Sequence, residues 1–352
     1  MAVANRDLIV VGASAGGVEA LREFVRGLPG DLPAAVLVVL HLPAGGSSAL
    51  AAILGRSGPL RAVTARPNLP LELGTVAVAP PDHHLLVVDG EMVLSRGPTE
   101  SGHRPAVDAL FRSAARARGP RVIGVQLSGS LDDGAAGLVA VASRGGLVVV
   151  QDPEDALYPA MPKAALRLLN ADHVLPATEM GTLMRRLTTE PVESRVPGVM
   201  SELDAREIDI SLHGDRGSGH DLTDLGEMSG FACPDCDGVL VQLAGTDRFR
   251  CRVGHAWTEE ALLSAHGERL EHALWTAYRI VEEKANLARR MEQTARERDN
   301  QGLAQRHADS AKEASSAAVA LRGLLLGSLP EGRAVRAKGR EVADRVGGSV
   351  AP

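Results

Sequence analysis

The chain has 352 residues, of which 45% are hydrophobic, so it is long enough for one full α/β domain and something smaller. Its net charge of −6 argues against a general nucleic-acid binder, whose binding domain is strongly basic. The N-terminus lacks the layout of a signal peptide, and no apolar stretch approaches the ~20 residues that a membrane helix needs. We therefore expect a cytoplasmic protein with no membrane insertion and no nucleic-acid partner.

Over residues 8 to 187, short runs rich in β-branched residues alternate with amphipathic stretches. This alternation is typical of a parallel sheet whose two faces are covered by helices. We predict a doubly wound, mainly parallel α/β domain over residues 1–188, with a hairpin at the turn dipeptide Asp89-Gly90. The predicted strands are Leu8–Gly12, Ala34–Leu42, Thr75–Ala79, Leu85–Val88, Val122–Leu127, Gly146–Gln151 and His173–Pro176.

The sequence changes character after this domain. Residues 189–230 lose periodicity and gain Ser, Gly and Asp, which predicts a flexible linker. Residues 231–257 carry all the cysteines in a short segment, for which we predict a small zinc-ribbon-like fold. A disordered tail is predicted for residues 329–352.

A helical hairpin is predicted over residues 258–328. Thr258 is a good N-cap, and the acidic residues after it favour the positive end of a helix dipole. Apolar residues from Leu263 to Met291 recur at steps of three, four or seven. Such a stripe predicts packing against a second, Ala-rich helix, with a partner-binding face as the alternative. The oligomeric state cannot be read from the sequence of this region.

The first predicted strand ends in the motif Gly12-Ala13-Ser14-Ala15-Gly16-Gly17. Small residues around a serine are needed on a sharp strand-to-helix turn, where substrate must approach the hydroxyl closely. Three interpretations are open: a nucleophilic serine, a dinucleotide-binding turn and a glycine turn without chemistry. A dinucleotide fingerprint needs glycine in place of Ser14 and an acid near the end of strand two, where this chain has His41.

Two further polar groups follow predicted strands. His41 comes after the second strand, and the acids Asp132 and Asp133 come after the strand that ends at Leu127. Open α/β sheets bind ligands at this edge, and Ser, His and Asp are the groups that nucleophilic acyl transfer needs. Their order along the chain differs from the Ser, acid, His order of α/β-hydrolases, which disfavours an ordinary lipase-type enzyme.

Ordered sequence blocks over residues 5–188 carry a family resemblance. They are Val10–Leu21, His41–Pro43, Ala79–His84, His103–Asp108, Gly129–Gly134 and Gln151–Pro162. Together they resemble the catalytic domain of CheB-type chemotaxis protein-glutamate methylesterases. Members of this family often carry an N-terminal phospho-receiver domain, whereas here the esterase blocks start near residue 1. We therefore expect a catalytic domain without a receiver domain, fused to a C-terminal zinc-knuckle and helical module.

The resemblance implies a serine-type carboxylic ester hydrolase. Its substrate would be glutamate methyl esters on the cytoplasmic helices of methylated chemoreceptors, and it could also deamidate receptor glutamines. By this resemblance Ser14 is the nucleophile, His41 the general base and Asp133 the acid that orients it. No cofactor is expected for catalysis.

The sequence departs from the family pattern at three positions. Ala15 replaces a usual threonine, and Ser130 and Leu131 replace a methionine and a glycine in the loop before Asp133. Because glycine adopts positive φ easily and leucine does not, we expect a locally altered loop, in which Asp132 could compete with Asp133. These departures motivate a second hypothesis, a catalytically weak or inactive module that serves as a binding component of a signalling array.

The cysteine spacing predicts a metal site. Cys233 and Cys236 lie on one turn, and Cys251 and His255 lie on a second turn 14 intervening residues later. Three thiolates and one imidazole can close a tetrahedron around structural zinc; the alternative is reduced cysteines without a ligand in a small core. Since a closed four-ligand site has no open position for chemistry, we expect loss of one ligand to leave esterase activity largely intact.

Overall fold

The computed structural model describes residues 5–45, 48–192, 198–213 and 226–327. The chain divides into two compact units, with the boundary between Leu263 and Ser264. Parts of the predicted linker, residues 193–197 and 214–225, lie outside the described residues, and so does the predicted tail at 329–352.

A seven-stranded sheet forms the centre of the first unit, with strand order β10-β9-β8-β1-β2-β5-β3. Every neighbouring pair in it is parallel, which confirms the predicted α/β class. The strands in chain order are β1 (Leu8–Ala13), β2 (Ala35–Leu40), β3 (Arg61–Thr64), β4 (Leu69–Pro70), β5 (Thr75–Val78), β6 (His84–Val88), β7 (Glu91–Ser95), β8 (Val122–Gln126), β9 (Leu147–Gln151) and β10 (His173–Leu175).

Helices cover both faces of this sheet. Alternate side chains of β1 enter two separate cores, with Ile9 and Val11 on one face and Leu8 and Val10 on the other. This alternation follows from the two-residue period of a strand. The helices are α1 (Gly17–Arg26), α2 (Leu50–Ser57), α3 (Val107–Arg118), α4 (Ala135–Ser143), α5 (Ala160–Leu168) and α6 (Ala177–Thr189). The first core holds residues of α1, α2 and α6, and the second holds residues of α3, α4 and α5.

The strand order reverses at β1. The chain passes from β1 to β2 on one side and later adds β8 on the other side. The carboxyl ends of β1, β2 and β8 therefore meet at one place on the sheet edge. In open α/β sheets the crevice at such a switch point is where ligands bind.

A separate antiparallel sheet has the strand order β4-β7-β6. Its β6–β7 turn is the predicted hairpin at Asp89 and Gly90, whose φ angles are 48° and 88°. Two consecutive positive φ values define the hairpin turn that Asp-Gly favours, so this prediction is confirmed.

Part of the predicted linker is a helix, α7 (Glu202–His213). It packs against α3 and β7 and buries Glu207, Ile208 and Ser211. The linker prediction is wrong for this segment. Its buried face includes a glutamate that pairs with distant arginines, so it shows little apolar periodicity in the sequence.

Four antiparallel strands follow in the order β11-β12-β13-β14. They are β11 (Gly226–Ala232), β12 (Val239–Leu243), β13 (Arg248–Cys251) and β14 (Ala256–Thr258). This small sheet begins earlier than the predicted segment at 231–257, and it belongs to the same compact unit as the parallel sheet. Backbone pairing of Ala256 with Glu100 is one contact that joins the two sheets.

Helices α8 (Glu259–Glu297) and α9 (Gln301–Gly327) follow, and the second unit holds α8 from Ser264 onward together with α9. Within this unit the buried residues are mostly alanines: Ala285, Ala288, Ala295, Ala304, Ala311, Ala314 and Ala318. The predicted stripe is wrong at its ends, because Leu263 and Met291 are 77% and 44% exposed. Among the described residues, no helix combines the length and apolarity needed to cross a membrane.

Candidate active site and metal-binding cluster

Ser14 lies on a tight turn between β1 and α1. Its backbone N–H donates to Ser128 O at 2.9 Å, and its carbonyl accepts the N–H of Gly17 at 2.9 Å. Gly16 has a φ of 67°, and a Cβ there would lie only 2.8 Å from Ser128 Oγ. The motif therefore needs glycine at this position for both conformation and space. The half-buried Ser14 side chain projects from the sheet edge at the switch point.

His41 follows β2 and faces Ser14. Its backbone N–H donates to Ala13 O at 3.2 Å, which places it beside the end of β1. Its Nδ1 atom lies 3.1 Å from Ser14 Oγ, and its Nε2 atom lies 2.7 Å from Asp133 Oδ2. The three residues predicted from separate strand ends thus form one continuous chain of hydrogen bonds.

Asp133 lies against the N-terminus of α3. Its two carboxylate oxygens accept the backbone N–H groups of Val107 at 2.7 Å and Asp108 at 3.0 Å. Burial by itself would raise the pKa of Asp133. The hydrogen bond from His41 and those from the two amides outweigh burial and hold its pKa at about 2. Asp133 is therefore ionised at neutral pH.

The charge of Asp133 determines where the proton of His41 resides. An ionised carboxylate only accepts hydrogen bonds, so Nε2 of His41 carries the ring proton. In the neutral ring Nδ1 then has a lone pair, to which the Ser14 hydroxyl donates. Chymotrypsin-type triads use the two ring nitrogens the other way round. The arrangement can still take a proton from Ser14 while the carboxylate stabilises the resulting imidazolium.

Asp132 does not compete for His41. Its Oδ1 atom accepts the hydroxyl proton of Thr258 at 2.8 Å, and Asp133 makes the contact with His41. The expectation that leucine at position 131 avoids positive φ is wrong as well. Leu131 has a φ of 61°, so it adopts the left-handed conformation that glycine takes easily.

His103 lies against the candidate base, a contact that the sequence analysis did not find. Its ring stacks on that of His41, with centroids 3.7 Å apart and planes inclined by 16°. Burial, and then the proximity of His41, lower the pKa of His103 to about 4. His103 is therefore neutral at neutral pH. His103 begins one of the sequence blocks that resemble the CheB family, but spacing alone could not assign it a role.

A second histidine in this region has a structural role. His84 is buried, and its Nε2 donates to Pro98 O at 2.9 Å while its Nδ1 accepts the N–H of Ala106 at 3.2 Å. Burial is the main cause that lowers its pKa, in agreement with a neutral ring that uses both nitrogens.

The floor of the site is built by the loop after β8. Ser128 Oγ donates to Ala15 O at 2.8 Å and accepts the N–H of Tyr158 at 2.9 Å. A Cβ on Gly129 would lie 2.9 Å from Ser14 Cβ, so only glycine fits beside the serine. The loop around Tyr158 thus borders the site.

A cluster of buried charged side chains is built around Arg112 of α3. Arg112 is fully buried and pairs with Glu100 at 2.5 Å, while Glu207 of α7 pairs with Arg250 of β13 at 2.8 Å. Arg112 also lies 3.7 Å from both Glu207 and Asp108. Removing one partner from such a cluster leaves a buried charge unpaired, which lowers the free energy of unfolding by several kcal/mol. This cluster could not be predicted from the sequence, because Glu207 and Arg250 lie far from Arg112 along the chain.

The predicted metal ligands converge. One ligand atom each from Cys233, Cys236, Cys251 and His255 lies within 4.8 Å of the others. The Sγ atoms of Cys236 and Cys251 are 3.6 Å apart, and His255 Nδ1 is 3.4 Å from Cys251 Sγ. Bonds of about 2.3 Å to a central ion leave tetrahedral ligands at roughly these separations. The cluster could therefore hold a metal ion.

The family profile of the CheB methylesterases matches residues 9–184, which is half of the 352-residue chain. The chain belongs to the CheB methylesterase family. A relative from Methanosarcina mazei is 39% identical over 183 residues, which are 50% of each chain. One from Anaeromyxobacter dehalogenans is 40% identical over 185 residues, 53% of this chain and 54% of the relative. Both are named protein-glutamate methylesterase/protein-glutamine glutaminase 2.

Coverage differs among the family relatives. This chain spans about half the length of the first two, but a relative from Leptospira interrogans is matched over 100% of its length at 34% identity. The crystal structure of the Thermotoga maritima CheB methylesterase catalytic domain matches with a TM-score of 0.50 and 32% identity, over 51% of this chain and 98% of that one. The Cys3His cluster lies outside the residues that the family profile matches.

Proposed function

We propose that this protein is a serine-type protein-glutamate methylesterase of chemotaxis-type signalling. Its substrates are glutamate methyl esters on the cytoplasmic helices of chemoreceptors or related signalling proteins, and it acts in the cytoplasm. Glutamine deamidation at the same centre is part of the proposal, since the named relatives carry both activities in their names.

The hydrogen-bonded chain Ser14, His41 and Asp133 carries this proposal. It lies at the switch point of a sheet that belongs to an esterase family, and the carboxylate that faces His41 is ionised at neutral pH. His41 and Asp133 have only 6% and 5% of their side chains exposed, so water does not weaken the interaction between them.

The geometry supports a two-step reaction. Ser14 Oγ attacks the ester carbonyl carbon while its proton passes to Nδ1 of His41, and Asp133 stabilises the imidazolium. Collapse of the tetrahedral intermediate expels methoxide, which takes the proton from His41 and leaves as methanol. A water molecule then attacks the acyl-enzyme while His41 accepts its proton. The second tetrahedral intermediate breaks its bond to Ser14 Oγ, which takes the proton back from His41, and the free glutamate side chain leaves.

Zinc is the metal that we propose for the Cys3His cluster. Three thiolates and one imidazole form a typical closed zinc site, and the separations above fit its tetrahedron. The ion would hold the β11–β14 sheet together and would not take part in the reaction, because four protein ligands leave no open position.

The rival function is a weak or inactive esterase-like module that only binds its partners. It was motivated by Ala15, Ser130 and Leu131, but the left-handed Leu131 keeps the loop in the conformation that glycine takes, and Asp133 contacts His41. The groups are therefore arranged for chemistry, which favours the hydrolase.

A serine-directed fluorophosphonate separates these functions. We expect it to label Ser14 in the parent protein and not in Ser14→Ala, with His41→Ala labelled far more slowly. A folded parent protein that is not labelled would instead support the binding module.

A further inference from the structure

The β14 strand, which follows the metal ligand His255, contacts the loop that carries Asp133. Thr258 Oγ1 donates to Asp132 Oδ1 at 2.8 Å. The same hydroxyl oxygen accepts the N–H of Ala261 at 3.1 Å, as the N-cap of α8. Because an ionised carboxylate can only accept, the hydroxyl proton points to Asp132, and a lone pair of the oxygen is left for the amide.

The loop that receives this hydrogen bond carries strain. Leu131 has a φ of 61°, where a Cβ-bearing residue is disfavoured, and it lies two positions before Asp133. Strained residues persist when their surroundings hold them in place. The hydrogen bond from Thr258 to the intervening residue Asp132 is a contact of this kind.

The same strand also holds the loop that carries His103. Ala256 N–H donates to Thr99 O at 3.1 Å, and Ser101 N–H donates to Ala256 O at 2.7 Å. The chain reaches His103, stacked on His41, two residues after Ser101. Residues 256–258 thus contact the loop that carries His103, which stacks on the candidate base His41, and also the loop that carries Asp133.

The start of this strand is tied to the metal-binding turn. His255 immediately precedes Ala256, and its carbonyl accepts the N–H of Cys251 at 3.0 Å. Arg250 Nη1 donates to Gly254 O at 2.6 Å, and its Nη2 donates to Glu207 at 2.8 Å. The turn is therefore fixed both by its own backbone and by a buried arginine.

We infer that Thr258 is a positioning residue for the hydrolysis and that the Cys3His segment, by placing Thr258, is needed for full turnover. This inference rests on the proposed function. It replaces the expectation from sequence that activity survives loss of the metal cluster. Thr258 does not touch the reacting atoms; it acts by holding Asp132, and through it the backbone of Asp133.

The main test compares Thr258→Val with Thr258→Ser. Valine matches the shape of threonine without the hydroxyl, and serine keeps the hydroxyl. We expect the valine variant to lose about tenfold in the rates of ester hydrolysis and of Ser14 labelling by a fluorophosphonate, since small displacements of catalytic groups are costly. The serine variant should retain most of both rates. Equal loss in the two variants would overturn the positioning role.

A matched control is available at the junction between the metal-binding turn and the α/β domain. Thr99 Oγ1 donates to Asp235 Oδ2 at 2.6 Å, which is also a threonine-to-carboxylate hydrogen bond, but it does not reach the loop of Asp133. Thr99→Val should therefore leave both rates near those of the parent. If Thr99→Val and Thr258→Val lose activity equally, a general weakening of the junction explains the result and the inference fails.

A double-mutant cycle separates the contact with Asp132 from the N-cap. Asp132→Ala removes the acceptor and keeps the cap, so it should lose about as much as Thr258→Val, and the double variant should lose no more than either. Additive losses would contradict the inference. Circular dichroism and metal content should be unchanged in all three variants.

The role of the metal-binding segment is tested with Cys233→Ser in the full chain. We expect loss of bound zinc and a fall of about tenfold in the labelling rate of Ser14, while the far-ultraviolet circular dichroism of the α/β domain persists. Full labelling of Ser14 in a Cys233→Ser protein that lacks zinc would overturn the role of the metal-binding segment. If Ser14 of the parent is never labelled, the proposed function fails; if it is labelled normally in every variant, the inference alone fails.

Discussion

The imidazole ring of His103 lies flat on that of His41, with 3.7 Å between the ring centroids. One ring is the candidate base, and the other is buried and has a pKa lowered to about 4, chiefly by burial. A neutral ring at this position fixes the orientation of His41 and adds no positive charge to compete with the imidazolium that forms in the reaction.

Replacing His103 by Phe keeps an aromatic ring on His41, whereas His103→Ala removes it. We expect His103→Phe to retain activity within about threefold and His103→Ala to lose roughly tenfold. Since His103 is already neutral above about pH 5, the pH profile of the phenylalanine variant should match that of the parent. Initial rates between about pH 5 and pH 9 check this. A large loss in His103→Phe would indicate that the nitrogens of His103, and not its ring, are needed.

The two neighbouring acids are expected to differ sharply. Asp133→Asn should lower kcat by about 10⁴-fold, because an amide no longer stabilises the imidazolium or holds the proton on Nε2 of His41. Asp132→Asn keeps an acceptor for Thr258 and should stay within about threefold of the parent. Steady-state kinetics of both variants provide the test. The opposite ranking would assign the acid role to Asp132.

Asp108 gives a prediction about pH and stability. Burial and the charge of Asp133 raise its pKa to about 8, so its contribution to stability is complete below about pH 4 and is lost as pH rises through about 8. Asp108→Asn cannot ionise and keeps an acceptor for the N–H of Gly137. Relative to the parent, its free energy of unfolding should increase as pH rises from about 5 to about 9.

Urea unfolding at several pH values measures this difference. If the difference between Asp108→Asn and the parent does not change with pH, Asp108 is ionised throughout and its raised pKa is wrong.

The metal proposal predicts about one zinc ion per chain in the purified protein, by mass spectrometry under native conditions. Cys251→Ser should lose the ion and unfold at a lower temperature, since a structural metal contributes to folding free energy. Asp235→Asn is the control, because Asp235 lies between two of the ligands but bonds to Thr99. Zinc retained by Cys251→Ser would show that the ligand set is wrong.

The core of the fold could be predicted because each buried strand is a short apolar run. Predicted ends such as Leu8 and Gln151 are also the observed ends of β1 and β9. Helix α7 could not be predicted in the same way. Glu207 lies on its buried face, and its burial depends on Arg248 and Arg250, which come much later in the chain.

The candidate site, like the fold, could be predicted only in part from the sequence. Ser14, His41 and an acid could be placed near one another because they follow strands whose carboxyl ends share one sheet edge. The role of Asp133 in catalysis stays a prediction, but the structure selects it over Asp132 as the partner of His41. Thr258 could not be linked to the site from sequence, because its contact with Asp132 depends on how the β11–β14 sheet packs against the α/β domain.

Methanol release tests the proposed function most directly. Purified protein and its Ser14→Ala variant are incubated with methylated chemoreceptor cytoplasmic fragments, and methanol is measured over time. We predict release by the parent and none above background by the variant. No release by a folded, zinc-loaded parent, or equal release by both proteins, would contradict the assignment of a methylesterase that uses Ser14.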